Sequence, residues 1–89
     1  MQYNFKDDYI NREKRFAIGK ELYTEKYYFC FPVKLFLAEY DEYYEISEDE
    51  YHEFFVNQEH ILVLLERARK RLEDHRLMFE LPKIRGIPD

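Results

Sequence analysis

The chain has no tryptophan, one cysteine, two glycines, three prolines, one serine and one threonine. A single thiol, Cys30, excludes an internal disulfide and any zinc site built from several cysteines. Lone thiols suit a reducing compartment, and Cys30 reads as a small buried hydrophobe in a strand. No repeat, linker or low-complexity tract interrupts the sequence. The longest apolar run, Ile61–Leu65, is far too short to span a membrane. The N-terminal MQYNFKDDY is polar and acidic, unlike a signal peptide. Together these absences point to a cytoplasmic protein.

What remains is a folding sequence. Its 89 residues suffice for one domain, 1–89, and not for two. Nine Tyr and eight Phe exclude a disordered chain and supply the large core groups. The net charge of −5 argues against direct nucleic-acid binding, which needs a positive surplus against phosphates. It argues equally against an anionic membrane surface. A basic protein partner is the natural complement.

The apolar pattern implies an α+β fold. Phe5, Tyr9 and Phe16 sit near helical spacing, so residues 1–15 read as one or two short helical turns. Gly19 supplies a turn or bulge. Residues 21–33 read as a strand whose C-terminal half is buried on both faces, with Pro32 at a strand end or sheet edge. Tyr43, Tyr44 and Ile46 form a second short strand, and residues 35–41 are either a loop or part of a hairpin. Ser47 and Glu50 make a capping box, with Glu48, Asp49 and Glu50 at the positive end of the helix dipole. Apolar positions from Tyr51 to Leu72 then keep helical periodicity. They predict one long helix over about 48–75, or a helix split near Asn57, a poor helix-interior residue. Leu77–Leu81 returns as a strand, ended by Pro82 and by Gly86-Ile87-Pro88. The expected architecture is a small antiparallel sheet packed on that helical layer.

Charge is segregated along the chain. No Lys or Arg lies between Lys34 and Arg67, and the same stretch holds ten acids. Those on α-helical ground, Glu48–Glu50, cap and solvate the helix. Asp41, Glu42 and Glu45 precede it and add self-repulsion, which an interface would explain. Tyr43 and Tyr44 offer rigid contact area with a polar tip. The candidate partner-binding set is Glu39, Asp41, Glu42, Tyr43, Tyr44, Glu45, Asp49 and Glu53. A negative field of this kind steers a basic partner.

The stretch EYDEYYEISEDEYHEFF (39–55), the charged helix after it and the C-terminal RGIP (85–88) resemble small immunity proteins of bacterial toxin–immunity systems, including contact-dependent growth inhibition. The resemblance covers Gly19 to the C-terminus. It implies neutralisation of one cognate toxin domain, a nuclease by preference, with the acidic-aromatic run 39–53 as binding face. A rival reading is a regulatory, adaptor or antitoxin-like module, or a nucleic-acid mimic, acting on a basic host protein. Oligomeric state is left open.

No catalytic residue, metal site or cofactor is expected. His52-Glu53 begins like HExxH, but Val56 stands where the second His belongs. There is no GxGxxG and no GxxxxGK. Ser47 is already accounted for as a cap, and the apolar run around Cys30 raises a thiol pKa instead of activating it. Carboxylate pairs are so abundant that any one could be picked.

Overall fold

Antiparallel pairing organises the chain from its first strand. The structure is a computed structural model that describes residues 2–80 and 84–88. Strands β1 (Phe5–Asn11), β2 (Phe16–Glu21), β3 (Tyr27–Leu35) and β4 (Ala38–Ile46) lie in sequence order in one sheet. Two helices follow, α1 (Glu48–Phe54) and α2 (Glu59–Arg69), then a 3-10 turn at Asp74–Arg76 and a short strand β5 (Ile87–Pro88). The fold is α+β, as the apolar pattern implies, with the helices layered on one face of the sheet.

That inner face carries the main core. β2 contributes Phe16 and Ile18, β3 contributes Phe29, Phe31 and Val33, and β4 contributes Tyr44 and Ile46. Phe54, Ile61, Leu64, Leu65 and Ala68 close over them from the helices. β3 also buries Tyr28 and Cys30 on its other face, so its middle is covered on both sides. Pro32 falls where β3 changes neighbour. Residues 27–30 pair with β2 and 33–34 with β5, leaving Pro32 opposite neither. A residue without an N–H is tolerated there.

Residues 1–15 are not helical. β1 is a strand with a bulge, its register shifting between Asp7 and Tyr9. The extra residue, Asp8, puts Phe5 and Tyr9 on opposite faces although both are odd-numbered. Alternation is thereby broken, and the remaining spacing imitates a helix. Gly19 faces this bulge: a Cβ there would overlap the Lys6 carbonyl and sit 2.7 Å from the Tyr28 hydroxyl. Residues 35–41 form a hairpin, with Leu35 opposite Ala38 and a two-residue turn at Phe36–Leu37.

The helical region is split, and it ends early. Ser47 and Glu50 form the capping box, with Ser47 Oγ accepting from Glu50 N–H at 3.0 Å and Glu50 Oε1 from Ser47 N–H at 2.8 Å. Asn57 Oδ1 accepts from Glu59 N–H at 3.0 Å, a local bond that replaces the helix between α1 and α2. α2 stops at Arg69, not near 75. Arg71 takes a left-handed φ of 62°, Leu72 N–H bonds back to Arg67 C=O and Arg71 N–H to Ala68 C=O, the pattern of a Schellman stop without its usual glycine. The strand expected at 77–81 is reduced to one bridge, Leu77 with Tyr44, and Leu81 and Pro82 lie outside the described residues. Gly86-Ile87-Pro88 does not end a strand but supplies β5. No helix, among the described residues, is long and apolar enough to cross a membrane.

Candidate functional site

Strand parity sorts the acidic-aromatic run. Along β4, residues 40, 42, 44 and 46 face the helices, and 39, 41, 43 and 45 face away. Glu39, Asp41, Tyr43 and Glu45 therefore share the outer face of the sheet. Glu42 and Tyr44 do not: they are 2% and 0% exposed. Tyr44 stacks between Phe29 and Phe31, with ring centroids 5.2 and 5.3 Å away. Glu42 takes a two-pronged hydrogen bond from Arg85, Nε to Oε2 and Nη2 to Oε1, each 3.0 Å. It also accepts from the Tyr44 hydroxyl at 2.6 Å. Burial and this carboxylate together push the Tyr44 phenol well above its ordinary pKa.

The eight residues thus do not form one surface. Glu42 and Tyr44 are corrected to core positions, because a strand sends neighbours to opposite faces. Asp49 and Glu53 are exposed, but on α1, in the other layer.

The outer face has two halves. Toward the start of β1, aromatic side chains roof the sheet: Phe5 stacks on Tyr43 at 3.6 Å between centroids, and Tyr28 meets both edge-on. Tyr3 and Phe79 extend this cover. Toward the β1–β2 turn the roof ends, and a concavity of about 260 Å³ opens. Its floor holds the small or flat groups Ala17, Cys30 and Pro32, and its rim includes Asp7, Asp41, Arg12 and Arg15.

Electrostatically the rim is mixed, with Asp7 and Asp41 set beside Arg12 and Arg15 over an apolar floor. Asp7 accepts the Tyr28 hydroxyl at 2.6 Å, which with burial raises that phenol far above its ordinary pKa. Partial burial, Asp7 and Glu39 all raise the Asp41 carboxyl, and the hydroxyl of Tyr43 only partly offsets them. Burial, Asp7 and Asp41 hold the Cys30 thiol protonated, so it serves as floor and not as nucleophile. Elsewhere on this face two acids already have cations: Arg15 lies 3.6 Å from Glu39 and Lys26 3.4 Å from Glu45. Among the described residues, no group of three His, Cys, Asp or Glu is placed to hold a metal ion.

Comparison with protein families, with curated proteins and with solved structures finds no match to this chain.

Asp7, Arg12 and Arg15 were not picked out by the sequence. The bulge hides β1, so nothing in FKDDYIN marks Asp7 as a neighbour of Asp41. Acids at 39, 41 and 45 alternate with Tyr40, Tyr44 and Ile46. Glu42 and Tyr43 break that pattern, and the partner that explains Glu42, Arg85, is 43 residues away.

Proposed function

We propose that the chain is a non-catalytic binding protein of the toxin–immunity kind. It occupies a basic protein partner, a cognate toxin domain, by laying the outer face of its sheet against it. The observation that carries this reading is the alignment of Asp41, Tyr43 and Glu45 on one strand face, with Asp41 and Asp7 bordering an open concavity at one end of it. A basic side chain entering there meets two carboxylates over an apolar floor. Its approach is accelerated by the negative face and its residence helped by aromatic contact area. The acids of α1 add to the long-range field and are not part of the contact. Inhibition of this kind is stoichiometric and needs no cofactor, and it acts in the cytoplasm, where the incoming toxin works.

The reading places the partner's gene beside this one. Co-expression of the chain with the product of the adjoining gene should give a stable one-to-one complex on size exclusion. The variant Asp7→Lys/Asp41→Lys, folded by circular dichroism, should not form it. A complex that survives this reversal, or no complex with the neighbour's product, contradicts the proposal.

A further inference from the structure

Two large apolar side chains stand exposed side by side at the β3–β4 turn. Phe36 is 80% exposed and Leu37 is fully exposed. Ile87, also exposed, pairs with Lys34 just below the turn. Two-residue hairpin turns favour Gly or Asn, because the first central residue needs a positive φ. Phe36 occupies that position with φ 56°, in a region where bulky residues are rare. Neither its backbone nor its side chain benefits the isolated fold. Costs of this kind point from conformation to function.

The surroundings of the tip are cationic. The Arg15–Glu39 pair joins the β1–β2 turn to the strand leaving the tip. Arg69 donates to the Lys14 carbonyl at 2.6 Å, which brings the C-terminal end of α2 to the same end of the molecule. Arg71 donates to the Gly86 carbonyl at 3.1 Å, next to Lys34. The exposed cations Arg12, Lys14, Lys34, Lys70 and Arg71 are thus gathered at this end. Of the acids nearby among the described residues, Glu39 and Glu66 are held by Arg15 and Arg69, which leaves Glu13 and Asp41 against the five cations. The molecule is 37 Å long, several times the ~8 Å screening length at physiological salt. Its net charge of −5 therefore does not govern what this end meets.

We propose that the β3–β4 tip docks on the surface of an anionic lipid bilayer. Phe36 and Leu37 enter the interfacial zone, and the surrounding lysines and arginines hold the headgroups. Two protruding side chains on a convex turn fit a surface that yields around them, whereas a protein partner would have to supply a matching pocket. The cationic collar selects acidic over neutral lipid. Phe36 and Leu37 do not line the concavity of the outer sheet face, whereas Arg12 borders both surfaces.

Two measurements on the purified full chain decide it. In vesicle sedimentation at low salt, the chain should bind phosphatidylserine–phosphatidylcholine vesicles and not pure phosphatidylcholine. Phe36→Asn/Leu37→Gly, a sequence suited to the turn, should lower the partition coefficient about tenfold while raising the thermal midpoint. The chain has no tryptophan, so Leu37→Trp is a sole indole reporter whose emission should shift to the blue with the acidic vesicles. No binding to acidic vesicles, equal binding to neutral ones, undiminished binding by the Asn-Gly variant, or unmoved Trp emission overturns the proposal.

Discussion

Arg85 is the residue that ties the C-terminal segment to the sheet. Its guanidinium forks onto Glu42 and, on its other side, onto Asp74 at 2.7 and 2.9 Å. Next to it, Gly86 N–H donates to the Tyr40 hydroxyl at 3.0 Å, and a Cβ there would press on the Lys34 carbonyl at 2.8 Å. The RGIP stretch is thus a structural clasp. Replacing Arg85 with Met strands a buried carboxylate, and urea melts should show a loss of about 3–5 kcal/mol. Glu42→Gln in the same background removes that stranded charge and should recover part of it. A cost below about 1 kcal/mol for Arg85→Met would mean that the pair contributes little.

Glu21 makes a second buried knot of polar bonds. It accepts from the amides of Asn4, Tyr23 and Thr24 and from the Thr24 hydroxyl, at 2.6–3.0 Å. Burial would raise its pKa, but these four donors win and hold it at about 2. The carboxylate fixes the β2–β3 connection in place of a glycine-rich turn.

At the scale of elements, the local signals with a nearby partner were legible. The capping box lies within four residues, and Ser47→Ala should cost about 1 kcal/mol in urea melts. A neutral result would mean that α1 does not need its cap. The break near Asn57 is local as well, because the side chain bonds its own backbone two residues on. The end of α2 was not legible: Arg71 sits where glycine usually signals a stop, so the periodicity runs on to Leu72 and beyond. β1 was not legible because one inserted residue reverses the faces of everything after it. The candidate site suffered likewise. Its acids are visible as a run, but which of them share a face depends on strand pairing, and nothing near Glu42 in sequence marks it as buried, because Arg85 is remote.

At the scale of the whole molecule, acid should loosen the fold in a defined window. Glu21 and Glu50 both have carboxyl pKa values of about 2 in the folded chain, against an ordinary 4.5. For Glu50, burial is outweighed by hydrogen bonds from His60, the Ser47 amide and Arg76. Groups with depressed folded pKa values stabilise fully above their unfolded values and lose that contribution as pH falls toward the folded ones. The urea midpoint should therefore be level from pH 7 to about 5 and fall steadily between about 4.5 and 2. Glu21→Gln should start lower and fall less. A midpoint that holds level to pH 2 contradicts these assignments.

Charge is also divided between layers. Asp7, Asp41 and Glu45 lie on the outer sheet face, and Glu48, Asp49 and Glu53 lie on the helix layer. Two variants with equal change in net charge separate docking from general attraction: Asp41→Lys/Glu45→Lys and Asp49→Lys/Glu53→Lys. The decisive measurement is the association rate of each with the adjoining gene's product in stopped flow. The sheet-face variant should associate at least about tenfold more slowly than the helix-layer variant. Equal slowing of the two, or greater slowing by the helix-layer variant, would show that the outer face of the sheet is not the docking surface.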